Sequence, residues 1–189
     1  MKKKKAIVLC SGGLDSVVAA FYVSKILKYD KIIVLFFDYG QKSVIKERKF
    51  AKKCSEEVNG KFMEIKLPEL GMISCSLINK EGNIKKLKRE NLKNTEKESA
   101  KWYVPCRNSV FLIYSLALAE SIYMKEREIY DIFLGLKCEG KESYPDSTRE
   151  FIKEMNKLSR ISCLKEFRIR APLIKKDKED IILLGKKLG

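Results

Sequence analysis

The sequence predicts an α/β protein built on a doubly wound, five-stranded parallel sheet of order 3-2-1-4-5. Three observations carry that expectation. The apolar runs Lys5-Ala6-Ile7-Val8-Leu9-Cys10 and Lys31-Ile32-Ile33-Val34-Leu35-Phe36-Phe37 lack the polar alternation of a half-exposed strand. Both faces of such strands are expected to be covered, as in a parallel sheet layered by helices. Strand and helix patterns then alternate as β-α-β-α-β, an insertion, and α-β-α-β-α, which implies crossovers within one sheet. Finally, Ser11-Gly12-Gly13-Leu14-Asp15-Ser16 forms a glycine turn between the first strand and the first helix, at the switch point between strands 1 and 4.

The elements follow in order. An amphipathic helix runs from Val17 to about Tyr29, and the Lys31–Phe37 strand ends in Asp38-Tyr39-Gly40-Gln41. A helix over Ser43–Val58 is expected to bury Ile45, Phe50, Ala51 and Cys54. Lys61–Lys66 reads as a short strand near the sheet edge, closed by Pro68. Positions 69–101 read as an insertion that passes into the charged run Lys85-Lys86-Leu87-Lys88-Arg89-Glu90. Pro105 stands at the entrance of a long apolar helix, Val110 to about Met124, expected to be largely buried. Tyr130–Leu136 is a strand with Gly135 near its carboxyl end, where a ligand could approach the backbone. Asp146 or Ser147 is expected to cap the helix that carries Phe151, Ile152, Met155 and Leu158. Phe167–Ala171 is the last strand and Lys178–Lys187 the last helix. The chain is thus one domain, 1–189, with an insertion at about 69–101.

Composition narrows the class. The 189 residues, 45% hydrophobic and 34% charged, suffice for one soluble domain with a sizeable core. The net charge of +15 suits an anionic partner or reflects a general lysine bias. The lysine-rich stretches lack interleaved aromatics for base stacking, which favours the bias. Six scattered cysteines, no C-x-x-C pair and no histidine leave out the usual zinc spacing. The apolar run after Lys2–Lys5 is broken at once by Ser11-Gly12-Gly13, so no secretory signal fits. No apolar stretch approaches the roughly 18 residues of a membrane span. Reduced thiols in a cytoplasmic protein are expected.

The glycine turn carries the chemistry. Backbone N–H groups and the positive end of a helix dipole converge just beyond a strand, which suits phosphate or pyrophosphate. Gly12 and Gly13 permit the backbone angles and the close approach, and Ser11 and Ser16 add hydroxyl donors. Asp15 would repel a bare phosphate, so it points to a nucleotide with Mg²⁺ between them. Asp38 and Gly40 lie at a strand's carboxyl end, where either a ribose or adenine contact or a solvent-exposed turn fits. Arg107 falls in the first turn of its helix, where the dipole opposes a cation. It serves either a bound anion or a neighbouring acid.

The Ser-Gly-Gly-x-Asp-Ser loop resembles that of the N-type ATP pyrophosphatases, which split ATP into AMP and pyrophosphate. Four further motifs follow in register: Phe37-Asp38-Tyr39-Gly40-Gln41, Tyr103-Val104-Pro105-Cys106-Arg107-Asn108, Ser143-Tyr144-Pro145-Asp146, and Ala171-Pro172-Leu173-Ile174 with Lys178. Together they resemble the 7-cyano-7-deazaguanine synthases over nearly the whole chain except the insertion. The resemblance implies a fold like that of the adenine nucleotide alpha hydrolases. It also implies an ATP-dependent ligase of queuosine and archaeosine biosynthesis, with 7-carboxy-7-deazaguanine and ammonia as substrates. In that family the carboxylate is adenylated, ammonia gives an amide, and a second activation with dehydration gives the nitrile.

Carried onto this chain, the resemblance assigns Ser11, Gly12, Gly13, Leu14, Asp15 and Ser16 to ATP, with Asp15 on Mg²⁺. Asp38 and Gln41 belong near the adenosine. Arg107, Asn108, Tyr144 and Asp146 face the substrate, and Asp15, Arg107 and Lys178 act in catalysis, Lys178 by neutralising phosphate charge. The sequence departs from the family in three places. Cys106 replaces Ala, and Ser147-Thr148 replaces Cys-Arg, with Arg149 following. The four-cysteine zinc segment expected beyond Gly189 has no counterpart here, which implies a shortened chain or a zinc-free relative. Two other functions stay open: a related ATP pyrophosphatase that modifies tRNA or a protein, and a catalytically incomplete nucleotide- or nucleic-acid-binding module. A homodimer and direct nucleic-acid contact are likewise open.

Overall fold

The computed structural model describes residues 3–79, 101–137 and 144–189. Its centre is a five-stranded sheet of order β3-β2-β1-β4-β5, with every pairing parallel. The strands are β1 (Lys5–Leu9), β2 (Lys31–Asp38), β3 (Lys61–Lys66), β4 (Asp131–Leu134) and β5 (Ile169–Arg170). The expected order holds because each strand is followed by a crossover that returns the chain to the same end of the sheet. The charged run from Lys85, together with Cys138 and Ser143, lies outside the described residues.

Successive side chains along β1 and β2 enter opposite layers, as a pleated strand requires. Ala6, Val8, Cys10, Ile32, Val34 and Phe36 face a core closed by helices α1 (Leu14–Phe21), α2 (Val44–Glu57) and α6 (Lys178–Leu188). Ile7, Leu9, Ile33, Leu35 and Phe37 face the other core, beneath α4 (Arg107–Glu126) and α5 (Arg149–Ser162). A short helix, α3 (Pro68–Ile73), begins on the proline that closes β3.

Several expectations are corrected. The first helix starts at Leu14, not Val17, and its last turn widens to a π-helical Tyr22–Ile26. In α2, Ala51 and Cys54 are buried, but Ile45 and Phe50 are 78% and 54% exposed. Their positions on the helix turn them away from the sheet. The long helix α4 buries only one face, through Leu112, Ser115, Leu116 and Ala119, whereas Ile113, Tyr114 and Met124 are exposed. Its first turn carries Arg107, as expected from Pro105 at its entrance, and it follows Cys106 in a left-handed conformation (φ 56°). Thr148, not Asp146 or Ser147, caps α5 by accepting from Phe151 N at 3.1 Å. Among the described residues, no helix is long and apolar enough to cross a membrane.

Candidate nucleotide and substrate site

The carboxyl ends of β1 and β4 open onto a cavity of about 450 Å³, lined by Ser11, Gly13, Leu14, Asp15, Ser16, Arg107, Asn108, Gly135, Leu136, Lys137, Tyr144, Ser147 and Lys178. A second cavity of about 290 Å³ shares Ser11, Ser16, Arg107, Asn108, Gly135 and Leu136 and continues over β2. The two differ in character. The first is ringed by the cations Arg107, Lys137 and Lys178 and by the hydroxyls of the turn. The second is walled by Leu35, Phe37, Tyr39, Phe111 and Leu134, with the Phe37 and Phe111 rings stacked at 4.2 Å and 4°.

The turn is held by its own serines. Ser16 Oγ donates to Gly13 O at 2.8 Å, accepts from Ser11 N at 3.2 Å and lies 3.3 Å from Ser11 Oγ. Gly12 takes the left-handed backbone (φ 75°), and a Cβ there would stand 2.5 Å from Glu47 O of α2. Only glycine fits both demands. Gly12 lines neither of these two cavities; it lets the turn lie flat on α2. Gly13 departs from expectation, because its backbone is extended (φ −77°, ψ 159°) and an added Cβ would meet only Ser11 Oγ at 3.4 Å. Its bareness serves the cavity rather than the turn. At the facing wall, a Cβ on Gly135 would stand 2.6 Å from Asp15 O and 2.7 Å from Ser16 Cα. The end of β4 thus packs directly on the first turn of α1.

Three helices start at this cavity, and the first residue of each lines it: Leu14 of α1, Arg107 of α4 and Lys178 of α6. Their orphan N–H groups and dipoles make the volume favourable for negative charge. Arg107 Nη1 donates to the Tyr39 hydroxyl at 3.4 Å, and its guanidinium lies 6.0 Å from the centre of that ring. It forms no ion pair among the described residues, so its charge is directed to the cavity. Tyr39 is buried, and burial raises its pKa against the opposing pull of Arg107. Tyr144 stacks on Tyr103 at 5.0 Å and lines the first cavity.

Besides Gly12, two expected ligand residues stand elsewhere. Asp38 lines neither cavity; its Oδ2 accepts from Arg48 Nη2 at 2.6 Å, and Arg48 also grips Glu64 through two bonds of 2.8 and 2.9 Å. A strand-end carboxylate beside an arginine of the next helix was claimed by the nearer charge. Asp146 is buried below the cavity. Its Oδ2 accepts from Asn108 N and its carbonyl from Asn108 Nδ2, both at 2.9 Å. It ties the strap carrying Tyr144 and Ser147 to the start of α4, so it positions the wall instead of lining it. Gln41 reaches the second cavity, but Nε2 already donates to Phe37 O and Glu47 Oε2, both at 3.0 Å, and Oε1 accepts from Tyr39 N at 2.9 Å. The side chain braces the β2 turn.

Sequence reasoning missed Lys137, Ser147, Glu47 and Phe111 as cavity residues. Lys137 carried a usable signal, because it comes three residues after β4, at the carboxyl end of the sheet. Phe111 carried none, since a helix phenylalanine four positions beyond Arg107 is indistinguishable from core. Among the described residues, no group of three or more His, Cys, Asp or Glu is arranged to hold a metal ion.

The family model of the queuosine biosynthesis protein QueC matches residues 5–189. The chain belongs to the QueC family. It is 37% identical over 186 residues to the 7-cyano-7-deazaguanine synthase of Methanosphaera stadtmanae, covering 97% of this chain and 79% of that protein. It is 38% identical over 188 residues to the synthase of Methanococcus maripaludis strain C6, covering 97% and 77%. Among solved structures, a 4-thiouridine synthetase in complex with RNA and bound ATP superposes with a TM-score of 0.57 at 16% identity. That match covers 98% of this chain and 41% of the synthetase, and the two share a fold. Like this chain, QueC relatives thus place their sequence similarity across the whole sheet and not in the glycine turn alone.

Proposed function

We infer that this QueC-family chain converts 7-carboxy-7-deazaguanine and ammonia to 7-cyano-7-deazaguanine at the expense of ATP, acting as a single domain. The observation that carries this is the convergence of three helix N-termini on one cavity, with Arg107 and Lys178 each at a first helical position that line it. A cation there is opposed by its own helix by about 0.3–1 kcal/mol, a cost offset when a polyanion is bound. The smaller, flat-walled volume beside it suits a planar heteroaromatic ring.

In this reading Ser11, Ser16 and the N–H groups of the turn bind the ATP phosphates, and Arg107, Asn108 and Tyr144 receive the substrate carboxylate. Asp15 lines the cavity at the first turn of α1. One carboxylate with substrate phosphates is the usual donor set for Mg²⁺, which would screen Asp15 from the nucleotide. Zinc has no comparable donor set among the described residues, and no step is assigned to it. A substrate carboxylate oxygen attacks the α-phosphorus and pyrophosphate leaves, its growing charge met by Lys178 and Lys137. Ammonia then adds to the acyl carbon and AMP leaves, giving the amide. A second activation at the amide oxygen, followed by loss of that oxygen and two protons, yields the nitrile. No side-chain nucleophile is required; the protein supplies position and electrostatic stabilisation. Described cysteines that are all free thiols suit a cytoplasmic setting.

The test is release of AMP and pyrophosphate with each component omitted in turn. Release should require both 7-carboxy-7-deazaguanine and ammonia. Release that appears only on adding tRNA overturns the small-base reading in favour of an RNA substrate.

A further inference from the structure

Tyr39 follows β2 directly, is 7% exposed and lines the second cavity. Its phenol oxygen accepts from Arg107 Nη1 at 3.4 Å, and Arg107 lines both cavities. A phenol can accept one hydrogen bond and donate another at the same time. Among the described residues nothing accepts the Tyr39 proton, and a buried hydroxyl rarely goes without an acceptor. The cavity that Tyr39 lines is where an acceptor oxygen can enter. The residue is fixed on several sides. Its N–H donates to Gln41 Oε1 and its carbonyl accepts from Asn79 Nδ2, both at 2.9 Å. A Cβ on Gly71 of α3 would stand 2.3 Å from that carbonyl oxygen, so α3 lies hard against the Tyr39 backbone. The ring meets Phe111 edge to face at 5.4 Å. With backbone and ring both held, the hydroxyl is preorganised as a donor. Gln41 thus serves the site through Tyr39.

We propose that Tyr39 is a further catalytic residue, whose O–H joins Arg107 in a two-donor site for the carboxyl oxygen of the substrate. This rests on the reading of Arg107 as the receiver of that carboxylate. The choice of a phenol beside Arg107 has a physical reason. A carboxylate partner would hold the guanidinium but cancel its charge. A neutral phenol holds it through one bond and leaves the charge for the ligand. Burial raises the Tyr39 pKa against the opposing pull of Arg107, so the phenol keeps the proton that it donates.

The pair acts on the carboxyl oxygen that does not attack ATP. During adenylation it holds that oxygen, which orients the other towards the α-phosphorus. When ammonia adds, its lone pair forms the C–N bond and the carbonyl electron pair moves onto the held oxygen. The Tyr39 O–H and the Arg107 N–H meet the charge that develops there. The pair returns to carbon as the C–O bond to AMP breaks, and the surplus proton of ammonia leaves with the AMP phosphate. Tyr39 gives up no proton in this step; it strengthens a hydrogen bond as the oxygen becomes more negative.

Tyr39→Phe in the whole chain removes the hydroxyl and keeps the ring. Its kcat/KM for 7-carboxy-7-deazaguanine should fall about 10²-fold, the usual loss for one oxyanion donor. ATP affinity by calorimetry and the melting temperature should stay those of the unaltered chain. An unchanged kcat/KM overturns the proposal. So does a loss of melting temperature and ATP affinity that matches the loss of kcat/KM, which would mark a merely structural tyrosine. Calorimetry with 7-carboxy-7-deazaguanine on Arg107→Met and on the Tyr39→Phe, Arg107→Met double variant separates donor from support. The double variant should bind more weakly than Arg107→Met alone. Equal affinity of the two would reduce Tyr39 to a holder of Arg107 and overturn its role as a donor. An unaltered chain that binds ATP but neither binds nor turns over 7-carboxy-7-deazaguanine would overturn the small-base reading itself, and this role of Tyr39 with it.

Discussion

Lys178 stands exposed at the first position of α6, beside Asp177, whose carboxylate caps that helix by accepting from Asp180 N at 2.8 Å. Glu179 and Asp180 in the first turn join Asp177 in complementing this helix end, so the lysine adds nothing to it, and it lines the first cavity. Lys178→Ala is expected to lower kcat by about 10²–10³-fold, the usual loss for one electrostatic donor, with an unchanged circular dichroism spectrum. An unchanged kcat would remove Lys178 from the phosphate path. Asp146 acts at a distance of one residue. Replacing it with Ala strips the acceptor from Asn108 N and should destabilise the protein by about 1–3 kcal/mol in urea unfolding, while raising KM for the base more than it lowers kcat. A variant with kcat lost and KM unchanged would instead place Asp146 on the substrate.

Among the elements, the contact between the end of β4 and the first turn of α1 leaves no room for a side chain. A Cβ at Gly135 would meet backbone atoms of Asp15, and backbone cannot swing aside as a flexible side chain can. Gly135→Ala is expected to cut ATP affinity sharply, by calorimetry, because α1 must shift relative to the sheet. A variant that binds ATP normally would show that the turn is not held from this side. The core offers a contrast. Phe133 is fully buried and meets Tyr29 edge to face at 5.1 Å, so Phe133→Ala should cost about 3–5 kcal/mol in stability without moving the turn.

Legibility of the sequence differed by element for physical reasons. The strands were readable because β1 and β2 are buried on both faces and so show unbroken apolar runs. The left-handed Cys106 that enters α4 was not, because no glycine announced it, although Pro105 marked the entrance. The glycine turn was readable where backbone geometry dictates sequence, as at Gly12, whose left-handed φ and close approach to α2 admit no side chain. Asp38 and Asp146 were misplaced because a carboxylate's partner, here Arg48 or the Asn108 amide, is chosen in three dimensions.

Over the whole molecule, the two ends of the sheet have different duties. The carboxyl end carries the cavities. The amino end is pinned by Glu128, which pairs with Lys5 at 2.6 Å and Lys31 at 2.8 Å, and by the Tyr29 hydroxyl donating to Asp131. Hydrogen bonds from Lys31 and Lys5 hold the Glu128 carboxyl at about 2, below its ordinary 4.5. Its contribution is therefore complete above that ordinary value and lost as pH falls towards 2, and surface screening by salt makes it small. Burial first, and then Asp131, push Tyr29 up to about 12 from 10. That contribution is complete below 10 and lost as pH climbs through 12. Thermal melts across pH should show Glu128→Gln flattening the acid limb, with a further effect on the alkaline limb because Glu128 also raises Lys31, and Tyr29→Phe flattening the alkaline limb alone. An unchanged acid limb in the first variant, or an unchanged alkaline limb in the second, would contradict these assignments.

In the proposed reaction the cavity at the helix N-termini lets the substrate carboxylate attack the α-phosphorus of ATP. The most direct test labels both carboxylate oxygens of 7-carboxy-7-deazaguanine with the heavy isotope and follows the label by mass spectrometry after turnover with ATP and ammonia. One heavy oxygen should appear in the AMP of the first activation and none in pyrophosphate. Heavy oxygen in inorganic phosphate, with ADP as the nucleotide product, would contradict it.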